Sequence, residues 1–201
     1  MTKNHNPAAN RSSGNQLRII AGQWRGRKLQ FPSVEGLRPT PDRVRETLFN
    51  WLAPVLPNAR CLDLFAGSGA LGLEALSRGA AQVDFIDSSG AAIKQLQQNL
   101  QLLKAEHANC WQEPADQWLR ASKPTPQPTY DVIFLDPPFH KGLAEHCIKL
   151  IDEQRLLAAN SYVYLEMGSI EALPPLPPSW QLHREKTAGQ VCYRLFTTNS
   201  S

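Results

Sequence analysis

Five short apolar runs between residues 60 and 167 alternate with longer segments that show helical periodicity. The runs are typical of buried strands, and their sequences are RCLDLF, QVDFID, HANCWQ, YDVIFLD and SYVYLEM. Alternation of this kind predicts a parallel sheet with helices packed on both faces. The final segment WQLHREKTAGQVCYRLF adds an antiparallel hairpin, so we expect a mostly parallel, seven-stranded, Rossmann-like α/β fold.

The chain is expected to have three parts. Residues 1–16 are polar and rich in Asn and Ser, which is typical of a disordered tail. Residues 17–40 are expected to form a basic extension with a β-hairpin in LRIIAGQWRGRKLQF. Residues 41–198 are expected to form the α/β domain, since a total of 201 residues suits one domain with a small appendage.

The first helix is expected directly after the extension. Thr40 is the expected N-cap, and Pro41 would occupy the first helical position. Val44, Leu48 and Leu52 recur at a spacing of four residues, which predicts an amphipathic helix with neighbouring polar residues on its exposed face.

Basic residues concentrate at the beginning of the chain. The first fifty residues contain nine Lys and Arg against three Asp and Glu, whereas the remainder contains twelve against fifteen. This asymmetry favours a polyanionic partner such as nucleic acid at that end, although a solvated basic segment would produce the same pattern.

The cysteines and the hydropathy pattern predict a cytoplasmic protein. Cys61, Cys110, Cys147 and Cys192 lack the paired spacing of a zinc site or a redox dithiol, so we expect them to be reduced core residues. No apolar run approaches the roughly 20 residues of a membrane span, and the N-terminus shows no signal-peptide pattern. We therefore expect no membrane partner.

A glycine-rich segment, DLFAGSGALG, links the first predicted strand to its helix. Gly67, Gly69 and Gly72 match the letters of the G-x-G-x-x-G fingerprint, and Asp87 ends the next strand twenty residues after Gly67. Glycines allow the backbone to approach a ligand closely, and the Asp87 carboxylate can accept both hydroxyls of a ribose. The arrangement predicts an adenosine-containing cofactor, with a tight structural turn as the alternative.

Asp63, which lies in the strand before this segment, indicates which cofactor to expect. A carboxylate would repel the phosphates of a dinucleotide, whereas S-adenosylmethionine carries a sulfonium and an ammonium group. We expect Asp63 to meet that ammonium directly or through water. The alternative is that Asp63 caps the following turn.

The segment DPPF ends the fourth predicted strand and is expected beside the glycine segment. An exocyclic amine on a nucleobase is a poor nucleophile, and acceptors that hold its hydrogens favour its attack on a methyl group. The Asp136 side chain and the Pro137 carbonyl can supply these acceptors, while Pro137 and Pro138 stiffen the loop. Phe139 offers a face for base stacking.

No metal is expected in this reaction, because a sulfonium is already an activated methyl donor. His140, next to the DPPF segment, can be interpreted as a base, but we favour an exposed loop histidine.

These motifs together resemble the class I methyltransferases that modify exocyclic amines of adenine or guanine. More narrowly, RIIAGQWRGRKL, LRPTPDRVRETLFNWL, LDLFAGSGALGLEALSRGA, DPPF and LHREKTAGQVCYRL are similar to segments of the 16S ribosomal RNA guanine-N2 methyltransferase D family. The resemblance extends from residue 17 to residue 196. It implies transfer of a methyl group from S-adenosylmethionine to N2 of one guanine in 16S ribosomal RNA, within the small subunit or an assembly intermediate.

The resemblance also implies roles for individual residues. The implied cofactor-binding residues are Asp63, Phe65, Gly67, Ser68, Gly69, Asp87, Glu113 and Ala115. The implied catalytic residues are Asp136, Pro137, Pro138 and Phe139. The implied RNA-binding residues are Arg18, Arg25, Arg27, Lys28, Arg38, Arg43 and Arg45.

Two positions depart from the family pattern. Relatives usually have a second acid two residues after the ribose-binding acid, where this chain has Ser89. They also tend to show Asp-Ala or Asn-Ala at the adenine edge, where this chain has Glu113-Pro114-Ala115. The Glu113 side chain and the Ala115 backbone N–H both remain candidates for the adenine contact.

Three other functions are compatible with parts of the pattern. Methylation of adenine N6 in DNA or RNA would use the same catalytic core. An NAD-dependent oxidoreductase would use the same glycines, and a noncatalytic RNA-binding module would need only the basic surface.

Overall fold

A computed structural model describes residues 15–32, 40–121, 128–138 and 142–198. The chain forms nine strands and five helices within these residues: β1 (Asn15–Arg18), β2 (Lys28–Phe31), α1 (Asp42–Leu52), β3 (Arg60–Asp63), α2 (Ala70–Ser77), β4 (Gln82–Asp87), α3 (Gly90–Leu103), β5 (Ala108–Gln112), α4 (Ala115–Arg120), β6 (Tyr130–Leu135), α5 (Leu143–Glu153), β7 (Leu157–Gly168), β8 (Trp180–Ala188) and β9 (Val191–Thr198).

Seven strands form the central sheet, in the order β5-β4-β3-β6-β7-β9-β8. The five strands from β5 to β7 run parallel, and β9 lies antiparallel to both β7 and β8. The predicted Rossmann-like, mostly parallel seven-stranded sheet is therefore confirmed, together with its terminal antiparallel hairpin. Its strand order reverses beside β3, where such sheets bind their ligands.

Side chains alternate along the parallel strands and fill two hydrophobic cores on opposite faces of the sheet. One core packs against α1, α2 and α3, and the other packs against α4 and α5. The strand residues of the first core include Cys61, Val83, Phe85, Val132, Phe134 and Tyr164, and those of the second include Leu62, Ile86, Ile133, Leu135, Val163 and Leu165. Both predicted helical layers are thus present.

The predicted N-terminal hairpin is confirmed and packs directly on the α/β domain. β1 and β2 form a separate two-stranded antiparallel sheet whose Leu17, Leu29 and Phe31 join the first core. Between the strands, Gly22 has a φ of +80°, and a Cβ there would lie 1.8 Å from the Ser77 carbonyl oxygen. The hairpin backbone therefore approaches α2 at a distance that only glycine permits.

Arg45 anchors this packing and is not part of an exposed basic surface. Its side chain is fully buried and donates to the Asp42 carboxylate at 2.6 Å, the Arg18 carbonyl at 2.9 Å and the Thr40 carbonyl at 3.2 Å. The Glu74 carboxylate lies 3.5 Å from its guanidinium. The prediction that Arg45 faces RNA is wrong, because the guanidinium is enclosed by groups that it helps to hold together.

Glu74 completes the anchor from the side of α2. It is fully buried and accepts the backbone N–H groups of Ile20 at 2.8 Å and Ala21 at 3.0 Å. It also accepts from the Arg78 side chain at 2.7 Å. One buried ion pair thus joins the hairpin, α1 and α2.

Two predicted boundaries differ from the structure. Pro41, not Thr40, occupies the N-cap position of α1, and no side chain caps this end of the helix. The Thr40 hydroxyl instead donates to Asp136, a residue of the site described below. Asn15 and Gln16, which were expected in the disordered tail, belong to β1, and residues 1–14 lie outside the described residues.

Across the described ranges, none of the helices has the length and apolar character needed to cross a membrane.

We predict that Glu74→Gln lowers the free energy of unfolding by about 3 kcal/mol, because it leaves the buried Arg45 charge without its buried counter-charge. Denaturant titration with the linear extrapolation measures this loss. Glu153→Gln makes the same chemical change in the exposed Lys149–Glu153 pair and should cost less than about 0.5 kcal/mol. Equal losses in the two variants would contradict the anchoring role of Glu74.

Candidate active site

Four acidic side chains lie at the carboxyl ends of neighbouring parallel strands. Asp63 ends β3 and Asp87 ends β4, whereas Asp136 directly follows β6 and Glu166 lies near the end of β7. Asp63, the last residue of β3, is paired with Phe134 in the sheet register. Asp136 therefore lies two residues beyond Phe134, next to the end of β3 where the glycine segment begins, as predicted. All four acids therefore meet the crevice at the reversal of strand order.

The glycine segment is a tight turn held by backbone hydrogen bonds. Gly67 and Gly69 have φ values of +50° and +79°, and Gly69 precedes the first residue of α2. The Ala66 N–H donates to the Ile86 carbonyl at 2.9 Å, which fastens the turn to β4. A Cβ on Gly69 would lie 2.6 Å from a methyl group of Leu96, so the turn has no room for a side chain at this position.

Asp87 holds the glycine turn from the end of β4. Its Oδ2 accepts the Gly67 N–H and its Oδ1 accepts the Ser89 N–H, both at 2.7 Å. Each carboxylate oxygen can accept a second hydrogen bond, so a half-buried Asp87 retains capacity for the two hydroxyls of a ribose. Ser89, where relatives usually have an acid, instead caps α3 by accepting the Ala92 N–H at 3.3 Å.

Asp63 is nearly inaccessible, with 2% of its surface exposed. Its Oδ2 accepts the Gly72 N–H in the first turn of α2 at 3.0 Å, and the Phe65 N–H also donates to its carboxyl group. This geometry matches the alternative in which Asp63 caps the following turn. Burial raises the pKa of Asp63 to about 7, with a further contribution from Asp87, while the two backbone N–H groups oppose the shift.

Asp136 and Glu166 are adjacent across β6 and β7, because Leu135 and Leu165 are paired in register. Burial raises the pKa of Asp136 well above its usual range, and the charges of Glu166 and Asp63 raise it further. Thr40 opposes this shift through a long hydrogen bond of 3.5 Å from its hydroxyl to Asp136 Oδ2. Buried Asp63 and Glu166 and half-buried Asp136 thus lie close enough that ionisation of Asp63 or Glu166 disfavours ionisation of Asp136.

Glu166 is held by a tyrosine of its own strand. The Tyr164 hydroxyl donates to Glu166 Oε2 at 2.6 Å, and only 5% of the Glu166 surface is exposed. Burial raises the pKa of Glu166, and the Tyr164 hydroxyl opposes that shift.

A cleft of about 330 Å³ opens beside the DPPF segment. Its lining includes Pro137, Pro138, Leu143, Glu166, Met167 and Pro175. Pro137 is buried and Pro138 is exposed, so the first proline is fixed by packing and the second borders the solvent. The stacking residue predicted at Phe139 and the neighbouring His140 lie outside the described residues.

The other predicted cofactor residues lie on the glycine turn and from the end of β5 to the start of α4. Ser68 is buried in the glycine turn, and half-buried Phe65 packs against the second core. The Glu113 N–H donates to the Asp87 carbonyl at 3.0 Å, which places Glu113 just beyond β5. Ala115 is buried at the first position of α4, where helix N–H groups lack partners within the helix.

The remaining basic residues of the predicted RNA surface are exposed where the structure describes them. Arg25, Arg27 and Lys28 lie on the hairpin, and Arg43 lies on α1. Arg18 is exposed and forms an ion pair with Asp42 at 3.2 Å. Arg38 lies outside the described residues.

Thr40, Tyr164 and Glu166 belong to the site, although no sequence motif pointed to them. A signal for Glu166 was present in SYVYLEM, because this strand carries an acid near its carboxyl end as the strands of Asp63, Asp87 and Asp136 do. Thr40 left no comparable signal, because its hydrogen bond to Asp136 joins positions 96 residues apart.

Comparison with known proteins supports the same fold and family. Residues 17–197 match the family described as Conserved hypothetical protein 95. Ribosomal RNA small subunit methyltransferase D of Escherichia coli strain K12 is 54% identical over 93% of this chain and 92% of its own. The protein of that name from Haemophilus influenzae is 49% identical over 90% and 93%. The solved structure of the putative methyltransferase yhhF from Escherichia coli is 48% identical, covers 93% of this chain and 100% of its own, and has a TM-score of 0.85.

We predict that Asp63 makes the folded protein lose stability as the pH rises from about 4 to about 7. The folded state binds the Asp63 proton more tightly than the unfolded chain, so the free energy of unfolding falls until the folded group is ionised. In Asp63→Asn this loss should be absent, and the difference between the two proteins should change by up to about 4 kcal/mol. Denaturant titrations across this pH range measure the free energy of unfolding of both proteins. Plotted against pH, the wild-type and Asp63→Asn values should differ by a constant amount above pH 7. A constant difference between pH 4 and pH 7 as well would refute the raised pKa.

Proposed function

Since the chain belongs to the ribosomal RNA small subunit methyltransferase D family, we propose that it transfers a methyl group from S-adenosylmethionine to the exocyclic N2 of a guanine in 16S ribosomal RNA. The observation that carries this proposal is the convergence of Asp63, Asp136 and Glu166 at the end of the parallel strands. A cationic donor relieves the mutual repulsion of these groups, whereas the pyrophosphate of NAD would increase it.

The glycine turn and its surroundings fit an adenosine-containing cofactor. Gly67 and Gly69 have positive φ values, so the backbone turns sharply from β3 into α2, as it does where a cofactor lies against such a turn. Asp87 would accept the ribose hydroxyls, while Glu113 or the Ala115 N–H would contact the adenine edge. Asp63 would act on the cofactor's ammonium through its charge or a bridging water, since its carboxyl group is already engaged by α2.

Asp136 and Pro137 would position the reacting amine. The Asp136 carboxylate and the Pro137 carbonyl accept the two N2 hydrogens, which raises the electron density on nitrogen as it attacks. The bound sulfonium supplies an activated methyl group, so the reaction needs no metal. S-adenosylmethionine would supply the methyl group as its carbon–sulfur bond breaks and nitrogen bonds to the methyl carbon, and Asp136 would take the proton that nitrogen then loses.

The electrostatics of the free enzyme agree with this role for Asp136. Its pKa is raised by burial and by the neighbouring acids, so a nearby cation favours its ionised form. Binding of the methyl donor would thus generate the carboxylate that the acceptor role requires.

The exposed basic residues of the hairpin and α1 would contact RNA phosphates. The hairpin is fixed on α2 by the Arg45–Glu74 anchor, and α2 begins at the glycine turn. RNA bound to the hairpin would therefore have a defined position relative to the crevice. The target base must be unstacked to reach it, and Phe139 remains the predicted stacking partner.

We predict that Asp136→Asn lowers kcat by about 10²–10³-fold, since it removes a charged acceptor aimed at the developing positive charge. Cofactor affinity, measured by calorimetry, should change far less. Asp152→Asn on the exposed face of α5 is the matched control and should leave both quantities unchanged. The assay uses small ribosomal subunits from cells that lack the protein, and nucleoside analysis should identify N2-methylguanosine.

Different products would overturn different parts of the proposal. N6-methyladenosine as the sole product would replace guanine by adenine as the target. Binding of NAD without binding of S-adenosylmethionine would exclude a methyltransferase. Methyl transfer by Asp136→Asn at the wild-type rate would show that Asp136 has no role in the reaction, although the proposed site would stand.

We also predict that the triple variant Arg25→Ala, Arg27→Ala, Lys28→Ala binds RNA more weakly than the wild type. The slope of log K against log salt should become shallower by about 1 for each phosphate that the variant no longer neutralises. Arg120→Ala combined with Lys149→Ala removes exposed cations from α4 and α5 and serves as the control. An unchanged slope in the hairpin variant would show that the RNA lies elsewhere.

A further inference from the structure

Glu166 is a buried carboxyl group of the cleft for which the transfer step described above has no use. It lines the cleft together with Pro137 and Pro138. Its Oε2 accepts the Tyr164 hydroxyl, and among the described residues no hydrogen bond reaches Oε1. An oxygen of this kind, on a side chain that is only 5% exposed, is an acceptor available to a ligand in the cleft.

The sheet register fixes where this acceptor lies. Leu135 and Leu165 are paired across β6 and β7, so Asp136 and Glu166 extend from equivalent positions of two parallel strands. Their charges interact, as the effect of Glu166 on the pKa of Asp136 shows. A base whose amine is held by Asp136 can therefore present the ring atom next to that amine to Glu166.

Guanine and adenine differ at the ring atom next to the amine. In guanine the N2 amine lies between N1–H, which is a hydrogen-bond donor, and N3, which is an acceptor; the two bases differ on the N1 side. In adenine the N6 amine is flanked by N1 with a lone pair, which is an acceptor. A carboxylate oxygen can only accept, so it satisfies the first edge and repels the second.

We propose that Glu166 selects guanine by accepting the N1–H of the target base while Asp136 and the Pro137 carbonyl hold its N2 amine. The assignment rests on the proposed function, because it presupposes that the N2 amine is the reacting group. Glu166 is a specificity-determining residue in this arrangement, and it need not take part in proton transfer.

Tyr164 positions Glu166 for this contact. The tyrosine is fully buried, and its ring lies 6.5 Å from those of Phe134 and Tyr193, which restricts its movement. Its hydroxyl engages one oxygen of Glu166 and leaves the other for the base. A packed aromatic residue thus orients the acceptor.

The test replaces the target guanine by 2-aminopurine, which keeps the N2 amine and has a lone pair at N1. Small-subunit particles are reconstituted with 16S RNA that carries either base at the position whose methylation is lost in cells that lack the protein. The measured quantity is the ratio of kcat/KM for guanine to kcat/KM for 2-aminopurine. The wild-type protein should strongly prefer guanine, because 2-aminopurine leaves a buried acceptor facing a lone pair.

Glu166→Gln should lower this ratio by about 100-fold, because the amide can donate to N1 of 2-aminopurine and accepts more weakly from guanine. Tyr164→Phe should lower the ratio in the same direction by a smaller factor, since it only releases the orientation of Glu166. Glu153→Gln, an equivalent change on the exposed side of α5, should leave the ratio at the wild-type value.

The outcomes separate this inference from the proposed function. A similar loss of kcat/KM on both bases in Glu166→Gln, or equal rates on both bases in the wild-type protein, would overturn the role of Glu166 and leave guanine-N2 methylation standing. If Glu166→Gln does not fold, an unchanged ratio in Tyr164→Phe overturns the role instead. Failure of the wild-type protein to produce N2-methylguanosine on guanine particles would overturn both.

Discussion

The register of three adjacent parallel strands brings Asp63, Asp136 and Glu166 to one crevice, and the chemistry of the site depends on this convergence. Burial raises the pKa of each group, and the charges of Glu166 and Asp63 raise that of Asp136 further, so protonation is favoured more than in exposed carboxyls. Each carboxyl also receives a donor from a different part of the fold: the Gly72 N–H, the Thr40 hydroxyl and the Tyr164 hydroxyl. The donors fix the orientation of the acids, and a cation can restore their charge.

A second polar network connects the basic hairpin with this crevice. Arg45 donates to the Thr40 carbonyl, and the Thr40 hydroxyl donates to Asp136. Arg45 also pairs with Glu74, which holds the hairpin backbone at Ile20 and Ala21. The hairpin backbone and Asp136 of the crevice therefore belong to one hydrogen-bonded framework. The hairpin is a structural part of the α/β domain, which agrees with its apolar residues joining the first core.

Features governed by periodicity could be predicted from the sequence, whereas features governed by distant contacts could not. The five parallel strands, the glycine turn and the place of Asp136 beside β3 follow from local patterns and the rules of parallel sheets, and they are confirmed. The resemblance implies an RNA-facing Arg45, and no local pattern reveals Glu74 as its buried partner, 29 residues along the chain. The local pattern also predicts a capping role for Thr40, although its hydroxyl donates a hydrogen bond to Asp136, 96 residues along the chain.

The acceptor character of the crevice links the proposed choice of cofactor to the proposed choice of base. Carboxylates and backbone carbonyls can only accept hydrogen bonds, so together they favour cations and donor-rich edges. S-adenosylmethionine brings positive charge, and guanine presents N1–H and N2 hydrogens side by side. A dinucleotide would bring phosphates and adenine would bring the lone pair of N1, and each would face the same repulsion from Asp136 and Glu166. One electrostatic property, set by strand register, would therefore govern both specificities.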